Sequence, residues 1–328
     1  MCTSSRSVSQ FFLLSTGGCL MDLWNRCRNG YDQVGYLLLK ATFDAISRIP
    51  ERHAESIACA ISRLWFALDK TNRNITLDNL YIAFGDEKSD AEIRKIAKQA
   101  FYNTCNMLFE SARSLQWDTA EIMKYMRIEG QAHLHAAHEK GKGVLLLTGH
   151  VGNWELAVFI ADLVPYEITG VYKKVKVPAA ERFVLESRTR RGGRMYAVKA
   201  AIEGILTELS QGNFITLLVD HNAKRRHVFV DFFGKTAATE KGLAQLALTT
   251  GAPVVPYFII RKKRHFVVEV LPEVPLIHTG DMEADITANT AEYMKIIENI
   301  IRKYPDQWLW MHRRWKTRPK VHADTEMG

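Results

Sequence analysis

A histidine and a glutamate stand five positions apart in the segment GHVGNWE, residues 149–155. On one continuous helix this spacing would separate the two side chains by about 140°, too far to cooperate. A turn in which Asn153 caps the following helix would instead bring Glu155 back toward His150. A carboxylate on one ring nitrogen fixes the tautomer and raises the basicity of the other. His150 and Glu155 could therefore form a dyad that deprotonates a hydroxyl without a protein nucleophile.

The same segment also fits an ordinary strand-to-helix turn. In that interpretation His150 lies on the surface, and Glu155 sits in a first helical turn where the helix dipole favours an acidic residue. Such turns are common, so the residues of this segment alone leave both interpretations open.

Alternating strands and helices are predicted from Val144 onward. Strands are predicted at Val144–Thr148, Glu167–Tyr172, Phe214–Val219, Val254–Ile260 and Phe266–Leu271, and helices from Trp154, Ala200, Glu240 and Ala284. This order indicates an α/β fold with a mixed central sheet flanked by helices. Ligands in such folds bind beyond the carboxyl ends of the strands. His150 and Asp220 each follow a predicted strand, so the two should lie near one site, although Asp is also a common turn residue there.

The region before this core is predicted to be helical. We divide the chain into a Ser-, Gly- and Cys-rich amino terminus expected to be poorly ordered (1–30), a helical membrane-associating or cap region (31–125), an α/β core (126–320) and a tail (321–328). Ser89 opens a capping box before a run of apolar residues at helical spacing. This run predicts a packed helix rather than a ligand pocket.

Residues 34–49 combine apolar side chains with Lys40, Asp44 and Arg48. The chain has no run of about 18 apolar residues, so a standard spanning helix is not indicated. The segment could lie in a membrane interface, or it could be an amphipathic helix packed on the domain. Composition alone slightly favours the helix packed on the domain.

The formal net charge of +8 points to anionic partners, which could be nucleic acid, anionic lipid or an acidic carrier protein. Seven basic residues lie between 302 and 320 against one acid, with three tryptophans among them. No helix-turn-helix, zinc or RNA-binding fingerprint is present, which argues against nucleic acid. The five cysteines are odd in number and lack Cys-x-x-Cys spacing, which favours a reducing, cytosolic compartment over a disulfide framework.

Several motifs follow one another in the order seen in a known family. They are Arg73 with Asn79-Leu80, GHVGNWE, Asp220, Phe232-Phe233-Gly234, the run GAPVVP from Gly251, and QWLW followed by HRRWK from Gln307. Together they cover residues 70 to 320. The set resembles the bacterial lipid A late acyltransferases, a branch of the glycerolipid acyltransferases that carry an H-x4-D/E block.

The resemblance implies transfer of a fatty acyl chain from acyl carrier protein or coenzyme A to a hydroxyl of a Kdo-bearing lipid A precursor. His150 would be the general base, Glu155 would orient it, and the backbone amides of residues 151–154 could stabilise the oxyanion. No metal or bound cofactor is expected, since the acyl donor is a co-substrate. Supporting or substrate-binding roles would fall to Arg188, Asp220, Asn153, Lys173, Arg313 and Arg314. Arg188 could contact an acceptor phosphate or the oxyanion.

The same resemblance implies the cytoplasmic face of the inner membrane as location. Basic loops at residues 224–226 and 261–264 could meet the acidic acyl carrier protein. Three alternatives stay open on the residues: another glycolipid or aminolipid acceptor, a thioesterase if water reaches the site, and a non-catalytic basic membrane-binding module.

Overall fold

In the described part of the chain, five helices come before the first strand of the sheet. The computed structural model describes residues 31–198 and 201–319, so the predictions for 1–30 and 321–328 lie outside the described residues. The helices are α1 (31–47), α2 (Glu51–Leu68), α3 (Lys70–Phe84), α4 (Asp90–Ser114) and α5 (Thr119–Tyr125). The capping box is confirmed, since Ser89 accepts from the amide of Glu92 while the Glu92 carboxylate accepts from the amide of Ser89 at 2.9 Å.

Seven strands form the central sheet, in the order β1-β9-β8-β2-β5-β3-β4. They are β1 (Met126–Glu129), β2 (Val144–Thr148), β3 (Ile168–Tyr172), β4 (Arg194–Ala197), β5 (Phe214–Leu218), β8 (Val254–Lys262) and β9 (His265–Val270). All neighbours are parallel except β8 and β9. The predicted mixed sheet is confirmed, and the two strands β1 and β4, of four residues each, are additions to it.

The sequence also did not predict a two-stranded hairpin, β6 (His227–Phe232) with β7 (Lys235–Glu240). Phe233 and Gly234 connect its strands with φ of 57° and 68°. Two-residue hairpin connections favour positive φ at both positions, and a phenylalanine rarely takes that conformation. The pair Phe233-Gly234 therefore does not resemble a usual hairpin turn, and the sequence did not indicate one.

Helices cover both faces of the sheet. They are α6 (Gln131–His138), α7 (Pro178–Thr189), α8 (Ala201–Ser210), α9 (Gly242–Thr250), α10 (Met282–Lys303) and two 3-10 helices, Trp154–Asp162 and Pro305–Gln307. Successive residues of a strand point to opposite faces. Thus Leu145 and Leu147 of β2 join one buried cluster, while Val144 and Leu146 join the other. The strand is buried on both sides, which explains its unbroken apolar run.

Helix α1 packs on α7 and also presents apolar residues to solvent. Phe43 contacts Phe183 with ring centroids 4.5 Å apart, and Lys40 Nζ lies 3.0 Å from Glu186 Oε1. The exposed apolar side chains of α1 and α2 are Val34, Leu37, Leu38, Ile57, Ile61, Leu64 and Leu68. Within the described ranges, every helix is too short or too polar to cross a membrane.

Candidate active site

The ends of two adjacent parallel strands bring His150 and Asp220 together. Strand β2 pairs with β5 so that Thr148 stands beside Leu218, and the amide of Val219 donates to the carbonyl of Thr148 at 3.3 Å. The chain leaves both strands at the same edge of the sheet. The predicted meeting of these two side chains is thus what the strand register produces.

Asp220 holds His150 through two bonds. His150 Nδ1 lies 2.7 Å from Asp220 Oδ1, and the backbone amide of His150 donates to Oδ2 at 2.7 Å. An ionised carboxylate only accepts hydrogen bonds, so Nδ1 must carry the proton of the neutral imidazole. Nε2 is left with its lone pair and has no hydrogen-bond partner among the described residues. This is the tautomer that a general base needs.

The carboxylate of Asp220 is buried, with 1% of the side chain exposed. Trp308 Nε1 donates to Oδ2 at 2.8 Å. Burial by itself would raise the pKa of Asp220. The charge and hydrogen bond of His150, together with the hydrogen bond of Trp308, outweigh burial and hold that pKa well below its usual range. Asp220 is therefore ionised wherever His150 can act as a base.

Two glycines make room for this arrangement. A Cβ on Gly149 would stand 3.0 Å from Asp220 Oδ2, so the missing side chain lets the carboxylate approach the turn. Gly152 has a φ of +67°, and a Cβ there would lie 1.8 Å from the carbonyl oxygen of Ile259 on β8. The glycine spacing in GHVGNWE thus reflects two close contacts, one with the site and one with the sheet.

Three imidazoles stack at the site. The rings of His150 and His221 have centroids 3.7 Å apart at an interplanar angle of 8°, and those of His221 and His312 are 4.2 Å apart at 26°. The indole of Trp154 meets the His150 ring edge-on at 4.9 Å. His150 is enclosed by aromatic rings and keeps 13% of its side chain exposed.

Glu155 does not contact His150, contrary to the expected dyad. Its carboxylate binds Arg188 of α7 through two bonds, from Nε at 3.1 Å and from Nη2 at 2.7 Å. The first helical turn directs Glu155 toward α7, whereas Asp220 already occupies Nδ1 of His150. The carboxylate beside the base therefore comes from the segment that follows β5 and not from the H-x4-E segment.

Asn153 does not cap the following helix with its side chain. It is fully buried, and its Nδ2 donates to Glu110 Oε2 of α4 at 3.0 Å. Glu110 in turn pairs with Arg261, whose Nε and Nη2 lie 2.5 and 2.6 Å from the two carboxylate oxygens. The predicted helix does begin at Trp154, as a 3-10 helix. Asn153 is thus a structural anchor behind the turn.

The turn amides proposed as oxyanion donors are mostly used by the backbone. The amide of Val151 donates to Gly149 at 2.8 Å, that of Gly152 to Gln307 at 2.8 Å, and that of Asn153 to Ile259 at 3.1 Å. The turn is held between β8 and the segment after α10. The expectation of an oxyanion hole there is wrong for these three amides, since their hydrogens already point into the protein.

The remaining predicted residues divide into buried and exposed ones. Arg314 is fully buried, and its Nη1 donates to the carbonyl of Ala238 in the hairpin at 2.6 Å. It therefore holds β7 and cannot reach a substrate from that position. Arg313 and Lys173 are exposed, and neither forms an ion pair with another described residue. Both keep a binding role as a prediction.

The carboxyl-terminal segment closes the site from the other side. Asn79 of α3 donates to the carbonyls of Trp310 and His312 at 2.8 and 2.7 Å. The amide of Leu309 donates to the carbonyl of His150 at 3.1 Å. Trp308 and His312, to which the sequence assigned no catalytic or supporting role, are therefore packed at the site of the base. Their spacing from residue 150 gave no signal of this contact.

Comparison with known proteins identifies the family of the chain. A model of the family described as bacterial lipid A biosynthesis acyltransferase matches residues 3–317. The chain is an acyltransferase. More particularly, it belongs to the bacterial lipid A biosynthesis acyltransferase family, as the motifs predicted.

Curated relatives cover most of the chain. A lipid A biosynthesis lauroyltransferase of Escherichia coli (strain K12) is 29% identical over 272 residues, 80% of this chain and 85% of the relative. A palmitoleoyltransferase of lipid A biosynthesis from the same organism is 28% identical, over 76% of this chain and 80% of the relative. A phosphatidylinositol mannoside acyltransferase of Mycolicibacterium smegmatis is 26% identical, over 56% of this chain and 60% of the relative.

Proposed function

We propose that the chain transfers a fatty acyl chain from acyl carrier protein to a hydroxyl of a Kdo-bearing lipid A precursor. The family and the names of the two Escherichia coli relatives support a lipid A-type acceptor. The Kdo sugars and the carrier protein are the finer parts of the proposal and come from the motif resemblance. The proposed mechanism requires no metal or bound cofactor, because His150 accepts the proton and the acyl donor is a co-substrate.

The reaction begins when Nε2 of His150 takes the proton of the acceptor hydroxyl. The hydroxyl oxygen then bonds to the thioester carbonyl carbon, the C–S bond breaks, and the proton passes to the leaving thiolate. The observation that carries this proposal is the 2.7 Å contact between His150 Nδ1 and Asp220 Oδ1, because it leaves Nε2 as the basic nitrogen. Asp220 stabilises the imidazolium that forms.

Glu155 has a different part in this proposal, on the substrate side of the base. Its side chain is 32% exposed and that of Arg188 is 25% exposed, so substrate can reach the pair. Glu155 engages Nε and Nη2 of the guanidinium, while Nη1 has no hydrogen-bond partner in the described part of the chain. Arg188, held in this orientation, binds a phosphate of the acceptor, a group that guanidinium donors suit well.

Exposed basic residues on three segments near the site support an acidic donor. They are Lys173, Lys174, Lys176, Lys224, Arg225, Arg226, Arg313, Lys316 and Arg318. Within residues 31–198 and 201–319 none of them forms an ion pair. Asn222 joins two of the segments, through bonds of 3.0 and 2.9 Å with Thr317. Unpaired surface charge of one sign attracts an oppositely charged partner over about a Debye length.

The cytoplasmic face of the inner membrane is the proposed location. Apolar side chains on the outer surfaces of α1 and α2 support this, because single exposed leucines are ordinary but two helices carrying them suggest contact with lipid. Peripheral attachment is proposed for the described residues.

The test is acyl transfer in vitro with purified components. Radiolabelled acyl chains are offered on acyl carrier protein and on coenzyme A, with the Kdo-bearing precursor as acceptor, to wild type and to His150→Ala. We expect product with the carrier protein and a loss of about 10²- to 10⁴-fold in His150→Ala. Equal activity of the variant would refute the assignment of the base.

The identities of the acceptor and the donor are tested by replacing one substrate at a time in the assay. The precursor without Kdo and a phosphatidylinositol mannoside, the latter suggested by the mycobacterial relative, are assayed in parallel. Transfer to either at the rate of the Kdo-bearing precursor would reject the proposed acceptor. Equal use of coenzyme A at equal concentration would reject the proposed donor.

A further inference from the structure

His221 lies between two other imidazoles. Its ring centroid is 3.7 Å from that of His150 and 4.2 Å from that of His312. Two rings this close and this nearly parallel cannot occupy the same face of a third. His150 and His312 therefore cover opposite faces of His221, and the contact with the base is through the face of the ring.

The rings of His221 and His312 are neutral. Nε2 of His312 accepts the backbone amide of Asn222 at 2.7 Å, so it carries no proton. Burial lowers the pKa of His312 to about 4, and burial lowers the pKa of His221 to about 3. The charged or titratable groups that face His221 are His150, Asp220, His312 and Arg314. Only Asp220 among them favours a charged His221, and burial outweighs it.

The nitrogen Nε2 of His221 has no hydrogen-bond partner among the described residues although it is buried. The contacts that His221 makes with His150 and His312 are therefore made by the two faces of its ring and not through Nε2.

We propose that His221 is a positioning residue whose ring fixes the plane of His150 and stabilises the imidazolium that His150 becomes during acyl transfer. This inference rests on the proposed role of His150 as the base. The proton moves from the acceptor hydroxyl to Nε2 of His150, and His221 neither gains nor loses one. A cation is attracted to the face of a neutral aromatic ring, whereas a protonated His221 would repel it at 3.7 Å.

The experiment compares rings with non-rings of similar volume at this position. His221→Phe keeps an aromatic face, and His221→Leu fills the space without one. His221→Met is a second variant without a ring, chosen because its flexible side chain adapts to irregular cavities. Two readouts are taken: the pKa of His150 from the NMR titration of its ring protons in substrate-free protein, and kcat and KM for acyl transfer.

We expect Phe to keep the His150 titration of wild type and a kcat within about twofold of it. Leu and Met should lower the pKa of His150 by about half a unit relative to Phe, the size of a cation–π contact. They should also lower kcat by about fivefold or more with KM unchanged. If the Phe variant keeps the His150 pKa and the kcat that the Leu and Met variants lose, the effect comes from the ring face.

Two results would overturn the inference. One is an equal pKa of His150 in the Phe variant and in a Leu or Met variant that circular dichroism shows to be folded. The other is a Phe variant that loses as much as Leu, which would assign the effect to the ring nitrogens. The titration needs no acceptor, so a wrong acceptor in the proposed function would abolish turnover in wild type and leave this readout intact.

Discussion

Two carboxylates serve the segment 149–155, and their surroundings differ. Asp220 is 1% exposed and holds His150 through both the ring and the backbone amide. Glu155 is 32% exposed and pairs with Arg188 at the surface of the site. Asp220 follows the neighbouring strand β5, whereas the partner of Glu155, Arg188, lies on helix α7.

The two carboxylates therefore fit different roles: Asp220 orients the base, and Glu155 is proposed to act on substrate binding through Arg188. Burying a carboxylate costs desolvation free energy, which is offset only when all its hydrogen-bond partners are in place. Asp220 therefore holds the His150 ring in one orientation. A partly exposed ion pair is weak because water screens it and the side chains stay mobile. The bidentate contact with Glu155 orients Arg188, but less firmly than Asp220 fixes His150. In the proposed mechanism, the motif H-x4-E therefore carries two separate functions, proton transfer by His150 and substrate binding by Glu155 through Arg188.

Asp220→Asn should break the first contact and have the largest effect. An asparagine can turn its amide toward Nδ1, which would put the ring proton on Nε2 and remove the base. We expect kcat to fall by about 10³- to 10⁴-fold with KM little changed, as for loss of the carboxylate in comparable histidine–aspartate pairs. Steady-state transfer assays check this. A loss of less than tenfold would show that His150 does not depend on Asp220.

The control for this substitution is Asp86→Asn. Asp86 is exposed, and its side chain makes no hydrogen bond with another described residue. The chemical change is the same, but the activity should match wild type. Melting temperatures of both variants separate a lost base from a lost fold.

Gly152→Ala should act on stability, because this glycine holds the turn against the sheet. A Cβ would meet the carbonyl oxygen of Ile259 at 1.8 Å, and the residue has a φ of +67°. We expect the free energy of unfolding to fall by about 3 kcal/mol or more, measured by denaturant titration.

Gly141→Ala is the matched control for the backbone conformation. Gly141 also has a φ of +67°, but no atom lies within 4 Å of its Cβ position. It should therefore lose only about 1 to 2 kcal/mol, the cost of a left-handed L-residue. Equal losses at both positions would mean that the turn moves away from β8 without penalty.

The strands that position the base were predictable. Val144–Thr148 is buried throughout, and Phe214–Leu218 is buried or half-buried throughout, so each is a largely apolar run with no polar alternation. The residues after such runs gather at one edge of a parallel sheet. For this reason the proximity of His150 and Asp220 followed from the pattern, although their direct pairing did not, because Glu155 was expected beside the imidazole.

The partner of Glu155 was not predictable, because contacts from distant segments set the direction of the turn. Gly152 rests against β8, which is about a hundred residues away, and Asn153 is held by Glu110 of α4. Local capping rules contain no information about either contact. The histidine stack was hidden for the same reason: His221 and His312 are separated by ninety residues and meet only in the fold.

Glu155→Gln tests the second contact and should have the smallest effect of these changes. The substitution keeps the shape and removes the charge that orients Arg188. We expect kcat/KM to fall by about 10- to 100-fold, the size of a charge-assisted hydrogen bond to substrate. Because the pair is partly exposed, the unfolding free energy should change by less than about 1 kcal/mol.

The pH profile of kcat/KM decides between the two possible roles of Glu155. If Glu155 acts on substrate through Arg188, the acidic limb set by His150 should stay where it is in wild type. Arg188→Gln should then give a similar loss, and the double variant should lose little more, because both changes disable one binding unit. A displaced acidic limb in Glu155→Gln, with a loss as large as in Asp220→Asn, would instead show that Glu155 reaches His150 during the reaction. In that case the ion pair with Arg188 would belong only to the resting enzyme.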